Sequence, residues 1–482
     1  MQIDLQIDRQ ARPSLTEQIC TAVRAAIADG RLLPGARLPS WRDLAAQLGV
    51  ARGTVRLAYD RLADEQLIAS AGAAGTYVAA ARHAIHPTVP AVPAEQPSSL
   101  PGSPVGPAIF QLGVPALDVF PTKTWSRILV RAGRAAAARP VGYPDARGEA
   151  TLRRELAASL ALSRCISCVP AQIFVTTGYA GALGVALRVL QGDGTQCWME
   201  EPGYPLARHA LGLAGIHPVP VPVDSEGLDV AAGIAAAPTA TLALVTAGQQ
   251  APLGYTLSLR RRLALFEWAT RNNAWIIEDD YLGELQLKGR AAPALSSQDP
   301  AGRVLHIGTF SKTINPALRL GFLVVPQALV ARVAELVGAL APAPAPLLQH
   351  AVAEFLRDGH FLRHLRHMKR VYAERRDLLC RYLTDAQIDH SVAGLAVLQP
   401  LPCGADDIGI ARMARDAGLS PVPLSPWYGR PENAPAGLLL GVTNLPEDRV
   451  AECCRRLTDV IKRAQDGTRR RTVDTGSITL AP

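Results

Sequence analysis

Nowhere in the 482 residues does an uninterrupted apolar run approach the roughly 20 residues that a membrane-crossing helix needs. The N-terminus lacks the apolar core of an export signal and carries Asp4, Asp8, Arg9 and Arg12 instead. Cysteine is sparse. Eight thiols in such a length exclude a disulfide scaffold, and without an export signal they are expected to be reduced, in a cytoplasmic protein with no membrane contact. Cys165-Ile166-Ser167-Cys168 has no second pair to complete a metal or redox site, and no metal site is expected. No internal repeat is visible, which excludes a solenoid.

What is there is an ordinary globular composition, 48% hydrophobic and 19% charged, in a chain long enough for two or three domains. The net charge of +8 permits a nucleic-acid partner. Its distribution says more, because residues 31–61 hold Arg31, Arg37, Arg42, Arg52, Arg56 and Arg61 against Asp43 and Asp60 alone. Pro87, Pro90, Pro93, Pro97, Pro101, Pro104 and Pro107 recur every three or four residues, a spacing that excludes helix and predicts an extended linker. The expected plan is therefore a module over 1–80, a linker over 81–107, a large module over 108–465, and a disordered basic tail over 466–482 containing Arg469-Arg470-Arg471.

In the first module, Ile19, Ala22, Val23, Ala26 and Ile27 form a helical stripe from Leu15 to Asp29, closed by Gly30. Pro34-Gly35 makes a turn. Trp41 to Leu48 and Ala51 to Ala63 read as second and third helices, and Ile68 to Val78, with Gly72 and Gly75, as a hairpin. Three helices followed by a hairpin is the winged helix-turn-helix pattern. Arg52, Thr54 and Arg56 open the third helix, where recognition helices meet base edges and phosphates. The segment resembles the GntR-type winged helix over residues 10–80, through Gly30-Arg31-Leu32-Leu33-Pro34-Gly35, Leu38-Pro39-Ser40-Trp41-Arg42, Leu48-Gly49-Val50-Ala51-Arg52 and Thr54-Val55. That resemblance implies operator DNA as partner, with Arg42, Arg52, Thr54 and Arg56 in contact and Gly75 at the wing tip. Ala51 departs from it, standing where a serine usually caps the recognition helix; a lost cap costs about 1–2 kcal/mol.

The large module alternates apolar runs (173–177, 241–246, 275–277, 304–307, 321–325) with helical stretches (180–190, 258–272), which predicts a parallel sheet in an α/β domain with ligands beyond the strands' carboxyl ends. Ala-Pro-Ala-Pro-Ala-Pro at 341–346 separates two helices. Lys312, in Gly308-Thr309-Phe310-Ser311-Lys312-Thr313 with Arg319 downstream, suits a Schiff base to an aldehyde cofactor that carries a phosphate, with pyridoxal 5′-phosphate (PLP) as the candidate. Thr177-Gly178-Tyr179-Ala180 turns a strand into a helix and offers free N–H groups to a phosphate. Glu201-Pro202-Gly203-Tyr204-Pro205 presents an aromatic side chain suited to stacking. Ile277-Glu278-Asp279-Asp280-Tyr281 ends a strand in three acids and a phenol, with no histidine beside them in sequence to make a metal set. Cys453-Cys454 are expected to be packing, and His360, His364 and His367 to share a solvated basic face with Arg363, Arg366 and Arg370.

In this order the elements resemble fold-type I PLP aminotransferases over residues 108–465. The resemblance implies Lys312 as the lysine of the internal aldimine, Asp279 at the pyridine nitrogen, Tyr281 near the ring oxygen, Tyr204 stacked on the ring, and Gly178, Tyr179, Thr309 and Arg319 around the phosphate. Together the two halves resemble MocR/GabR-type regulators, through Tyr143-Pro144-Asp145-Ala146-Arg147-Gly148 and Ile276-Ile277-Glu278-Asp279-Asp280-Tyr281 as well. That resemblance implies a homodimeric transcription factor in which each winged helix lies against the partner's large domain, and which senses an amine, an amino acid or PLP itself through Lys312. Two departures bear on the effector. Ala247-Gly248-Gln249-Gln250-Ala251-Pro252 places Gln249 and Ala251 where relatives carry an imidazole and a bulky aromatic. Ala436-Gly437-Leu438-Leu439-Leu440-Gly441 has no arginine to clamp a carboxylate, leaving Arg208 and Arg430 as substitutes. The alternative reading is a working aminotransferase with a regulatory DNA-binding module.

Overall fold

The computed structural model describes residues 7–9, 11–72, 75–79, 108–138, 142–190, 192, 194–287, 289, 291–431 and 434–475, with side chains to residue 466. The whole of the expected proline-rich linker, 81–107, lies outside them. Two compact units result, Met1–Ser103 and Pro104–Pro482.

The first unit holds α1 (Leu15–Ala28), β1 (Arg37–Leu38), α2 (Trp41–Leu48), α3 (Arg52–Asp64), β2 (Ile68–Ser70) and β3 (Thr76–Val78). Ser14 and Ser40 cap α1 and α2 by accepting from Glu17 N and Asp43 N, and Gly49 ends α2 in the left-handed region at φ +63°. Ala51 makes no side-chain cap on α3. Ile19, Val23, Leu44, Val55, Ala58 and Leu62 close one core between the three helices. The wing has three strands in the order β1-β3-β2. The extra strand β1 escaped the sequence reading because two residues carry no periodicity; Gly35, at φ +78°, turns the chain so that Arg37 pairs with Tyr77.

In the second unit an eight-stranded sheet comprises β4 (Ile173–Thr176), β5 (Gln196–Glu201), β6 (His217–Asp224), β7 (Gly227–Leu228), β8 (Leu242–Val245), β9 (Trp275–Asp279), β10 (Val304–Thr309) and β11 (Gly321–Val324), in the order β4-β11-β10-β9-β8-β5-β6-β7. Helices α4 (Thr122–Ala137), α5 (Ala150–Arg164), α6 (Gly178–Leu190), α7 (Pro205–Leu213), α8 (Val230–Ala236), α9 (Leu259–Arg271), α10 (Val330–Leu340), α11 (Pro346–Arg357) and α12 (His360–Asp385) surround it. The sheet is mixed, which corrects the expected all-parallel arrangement: β11 runs antiparallel to both β4 and β10. The connection from β10 to β11 contains no crossover helix, and without one the chain can only return antiparallel. Gly308 is required at this return, since a Cβ there would lie 2.1 Å from the Phe322 ring.

A smaller subdomain follows, with β12 (Ser391–Ala393), β13 (Ala396–Pro400), α13 (Asp407–Asp416), β14 (Val422–Pro423), β15 (Gly437–Gly441) and α14 (Val450–Thr475). Cys453 and Cys454 are buried in its core. Helix α14 continues to Thr475, so the backbone from 466 to 475 is helical where an unstructured tail was expected, as a continuation of the helix begun at Val450. His364 also departs from expectation. It is buried beside Phe361 and Leu365, its Nε2 lies 2.8 Å from Thr313 O, and its ring meets Phe120 edge-on, so it belongs to the inner face of α12. Among the described residues, no helix is long and apolar enough to cross a membrane.

Candidate cofactor site and nucleic-acid interface

Strands β4, β5, β8, β9 and β10 all point the same way, so their carboxyl ends share one edge of the sheet. Gly178 opens α6 immediately after β4, Tyr204 precedes α7 after β5, Asp279 ends β9 and Thr309 ends β10. Arg319 arrives at the same edge at the start of β11. Its backbone sits in the left-handed region at φ +49° and passes 3.7 Å from the position a Cβ on Gly178 would take. The proposed phosphate-holding pieces are thereby adjacent: the free N–H groups of the α6 N-terminus and an arginine. Thr309 Oγ1 donates to Ser311 Oγ at 3.0 Å. Tyr179 and Tyr204 meet edge-on at 5.9 Å, and Trp427 lies 5.8 Å from Tyr204.

Asp279 and Lys312 are the chemically pointed pair. Burial pushes the Asp279 carboxyl up to about 7, with the neighbouring Asp280 and Glu200 charges adding to the shift and Tyr179 and Lys312 opposing it. Burial also lowers the Lys312 amine from its ordinary range, against the pull of Asp279. Lys312 Nζ donates to Gly113 O at 3.1 Å, and a Cβ on Gly113 would lie 2.7 Å from that nitrogen. Tyr281 is held above its usual range by burial and by the Asp279, Glu200 and Asp280 charges.

Two buried polar atoms at this edge, Asp279 Oδ1 and Tyr179 Oη, have no hydrogen-bond partner. Tyr179 is near enough to lower the Asp279 pKa, but its hydroxyl makes no hydrogen bond to the carboxyl. Orphaned buried polar atoms are costly, and a ring N–H beside Asp279 would satisfy one of them. The donor set therefore fits PLP: a carboxylate for the ring nitrogen, an amine of lowered pKa for the aldehyde, and a helix N-terminus with an arginine for the phosphate.

The residues expected to meet an effector separate. Arg208 Nη2 is bound to Glu201 Oε2 at 2.8 Å and to Trp427 O at 2.9 Å, so its charge is already countered. Gln249 Nε2 donates to Leu282 O at 3.1 Å and holds the wall beside buried Ala251. Arg430 is exposed.

Sequence reasoning missed a buried network on strands β9 and β10. His306 Nδ1 lies 2.9 Å from Glu278 Oε2, and Arg164 Nε donates to Asp280 Oδ2 at 2.6 Å. Burial disfavours charge on His306, but Glu278 prevails and raises its pKa. The histidine lacking beside these acids in sequence comes from a paired strand, opposite Glu278 in register. No local signal could have supplied it. Gly113 was missed as well; a glycine two residues before Pro115 is too common a pattern to mark a lysine's partner.

In the first unit, Arg52 and Arg56 are exposed on the opening turns of α3, and Thr54 between them is half-buried. Tyr59 Oη donates to Pro39 O at 2.9 Å and so ties α3 to the start of α2. Arg42 is exposed, with its guanidinium 4.8 Å from the Trp41 ring centre. Gly75 adopts φ +107° beneath Arg37.

A basic recognition helix on a winged scaffold, joined to an aminotransferase fold with a buried lysine–carboxylate pair, defines a DNA-binding regulator built on a PLP domain. The family profile of bacterial regulatory proteins of the gntR family matches residues 15–78, and that of aminotransferase class I and II matches residues 112–401. The probable rhizopine catabolism regulatory protein MocR of Rhizobium meliloti is 36% identical over 438 residues, covering 87% of this chain and 88% of its own. The pyridoxine biosynthesis transcriptional regulator PdxR of Corynebacterium glutamicum is 32% identical over 453 residues, covering 93% and 96%. Among solved structures, an archaeal alanine:glyoxylate aminotransferase aligns with a TM-score of 0.68 at 27% identity, over 74% of this chain and 92% of that one. The chain belongs to the MocR-type transcriptional regulators, and its cofactor is PLP.

Proposed function

We propose that this regulator senses a small amine, an amino acid or PLP itself at Lys312, and passes the result to operator DNA held by Arg42, Arg52, Thr54, Arg56 and the Gly75 wing. The observation that carries this reading is the position of Gly113. Its carbonyl accepts from Lys312 Nζ, and it lies in the first described stretch after the linker from the DNA-binding unit.

In this reading Asp279 would keep the cofactor's ring nitrogen protonated, Gly178 and Arg319 would hold its phosphate together with Tyr179 and Thr309, and Tyr204 and Tyr281 would contact the ring. The bound cofactor supplies an electrophilic carbon that a primary amine can occupy. The chain's own contribution is the switch. Lys312 Nζ is anchored to Gly113 O, and Val114 O next to it accepts from Thr443 Oγ1 at 2.7 Å and Asn444 Nδ2 at 3.1 Å. Phe110 bridges to Gly441 in the same subdomain. A change at the Lys312 amine thus acts on a strap tied at one end to the small subdomain. An effector shifts operator affinity only by binding two such arrangements unequally.

Arg208 is committed to Glu201, which favours Arg430 as the cation that meets an acidic effector. The same pairing weakens the case for efficient transamination, which needs a free carboxylate clamp. A cytoplasmic homodimer, each winged helix against the partner's large domain, completes the proposal; full exposure of Tyr143 supports a second copy covering that loop.

The test is a titration of the full-length, PLP-loaded protein with candidate amines, amino acids and PLP, recording the cofactor's visible absorption and operator affinity together. A spectral change that shifts operator affinity is expected. A spectral change with unaltered affinity overturns sensing at Lys312, and repeated turnover with a keto acid establishes the enzyme instead.

A further inference from the structure

Helix α4 carries Lys123, Arg127, Arg131 and Arg134 and no acidic residue. Their spacings of four, four and three residues put all four on one face. The first eleven residues of α12 repeat the pattern with Arg363, Arg366 and Arg370, again without an acid before Glu374. These side chains are exposed. Helix α11 packs against both α4 and α12. The two cationic helices begin at one aromatic knot, where Phe120 meets His364 at 5.3 Å, Trp125 meets Phe355 at 5.5 Å, and His360 stacks on Phe355 at 5.9 Å.

Several exposed arginines elsewhere in the chain are paired. Arg24 is bound to Glu65, Arg147 to Asp145, Arg260 to Glu226, Arg271 to Glu267 and Arg449 to Glu452. On the α4–α12 face, Arg131 alone meets an acid, Glu354 of α11. Among the described residues Lys123, Arg127, Arg134, Arg363, Arg366 and Arg370 form no ion pair. Arg363 and Arg370 have histidine nitrogens as neighbours instead, His360 Nδ1 at 2.8 Å and His367 Nδ1 at 3.2 Å. Six uncompensated cations on neighbouring helices repel one another, and only an anionic partner turns that repulsion into attraction.

We propose that this face is a second DNA-contacting surface, binding the phosphate backbone of DNA that flanks the operator. The proposal rests on the DNA-binding reading above and adds a contact from the PLP domain. Arginines at helical spacing neutralise phosphates without reading bases, so the surface adds affinity and salt dependence and leaves sequence preference to α3.

The experiment uses the full-length, PLP-loaded protein and an operator selected from random-sequence DNA. Binding is measured against salt concentration on a duplex trimmed to the protected site and on one extended by two helical turns at each end. The extended duplex should bind more tightly and with a steeper salt dependence. The triple variant Arg127→Gln, Arg134→Gln, Arg366→Gln should reduce the logarithmic salt slope on the extended duplex by about 2–3 and leave the trimmed duplex unchanged. The matching triple of Arg→Lys substitutions should keep the slope, because a phosphate contact needs charge more than geometry. Retained visible absorption of the cofactor shows that the variants are folded. Equal slopes for wild type and Gln variant on the extended duplex overturn the proposal and leave an acidic protein as the partner of this face. If no sequence is selected at all, the winged-helix reading itself fails, and this inference with it.

Discussion

Asp279 is a buried carboxyl with one oxygen unpartnered, and that condition has a measurable consequence in the cofactor-free chain. Its pKa rises from 3.8 to about 7 on folding. Between those values the folded chain keeps a proton that the unfolded chain has released, so stability falls as pH rises from about 4 to about 7. Asp279→Asn should flatten this dependence in thermal melts and stabilise the cofactor-free protein near neutral pH, with a ceiling of about 4 kcal/mol. Glu200, also raised to about 7 by burial, keeps part of the slope. An unchanged pH profile would show that Asp279 is not its source. If Asp279 meets the ring nitrogen as proposed, the same substitution in the loaded protein should weaken PLP binding. Lys312→Ala should abolish the visible band of lysine-bound cofactor; a band that persists rules out this lysine.

At the level of elements, α3 and the β10–β11 return each carry a prediction. Arg52→Ala should weaken operator binding by about 1–3 kcal/mol and relax preference at one base position. Uniform weakening across all sequences would make Arg52 a phosphate contact instead. Gly308→Ala drives a Cβ into the Phe322 ring and should cost roughly 1–3 kcal/mol in a denaturant titration, with partial recovery in Gly308→Ala, Phe322→Leu. The five helices read from apolar stripes, at 15–29, 41–48, 51–63, 180–190 and 258–272, lie within two residues of their expected bounds, because stripes and capping residues are local. Strand β1 and the direction of β11 were not. One is too short to carry a pattern, and the other depends on a connection that buried apolar runs do not encode.

Across the whole second unit, the strap from Phe110 to Val114 joins Lys312 to the small subdomain. Thr443→Val with Asn444→Ala removes both hydrogen bonds to Val114 O while leaving Lys312 and the cofactor's ligands in place. Effector binding should persist in that variant. Its effect on operator affinity should drop from the usual 1–3 kcal/mol of allosteric coupling to a few tenths. Full coupling in the variant would mean that the signal leaves the site by another route. The site's ingredients were readable one by one, since each follows a strand end in a recognisable turn. Their partners were not: Gly113 stands 199 positions from Lys312, and His306 stands 28 positions from Glu278.

Residue type and local order were enough to mark two modules, a basic three-helix segment with a hairpin, and Lys312 with Arg319 downstream as a candidate cofactor site. Asp279 was singled out from its acidic neighbours by the family resemblance alone. Caps, periodicity and turn residues act over a few positions, so a linear reading contains them. The fold alone settled which cations are free and which are committed: Arg208 to Glu201, Arg164 to Asp280, but Arg127 and Arg366 to no acid among the described residues. It also settled that Asp279 waits with an unpartnered oxygen while Lys312 leans on Gly113. Charge compensation and desolvation depend on distances through space between residues far apart in the chain, and those distances exist only once the sheet has assembled.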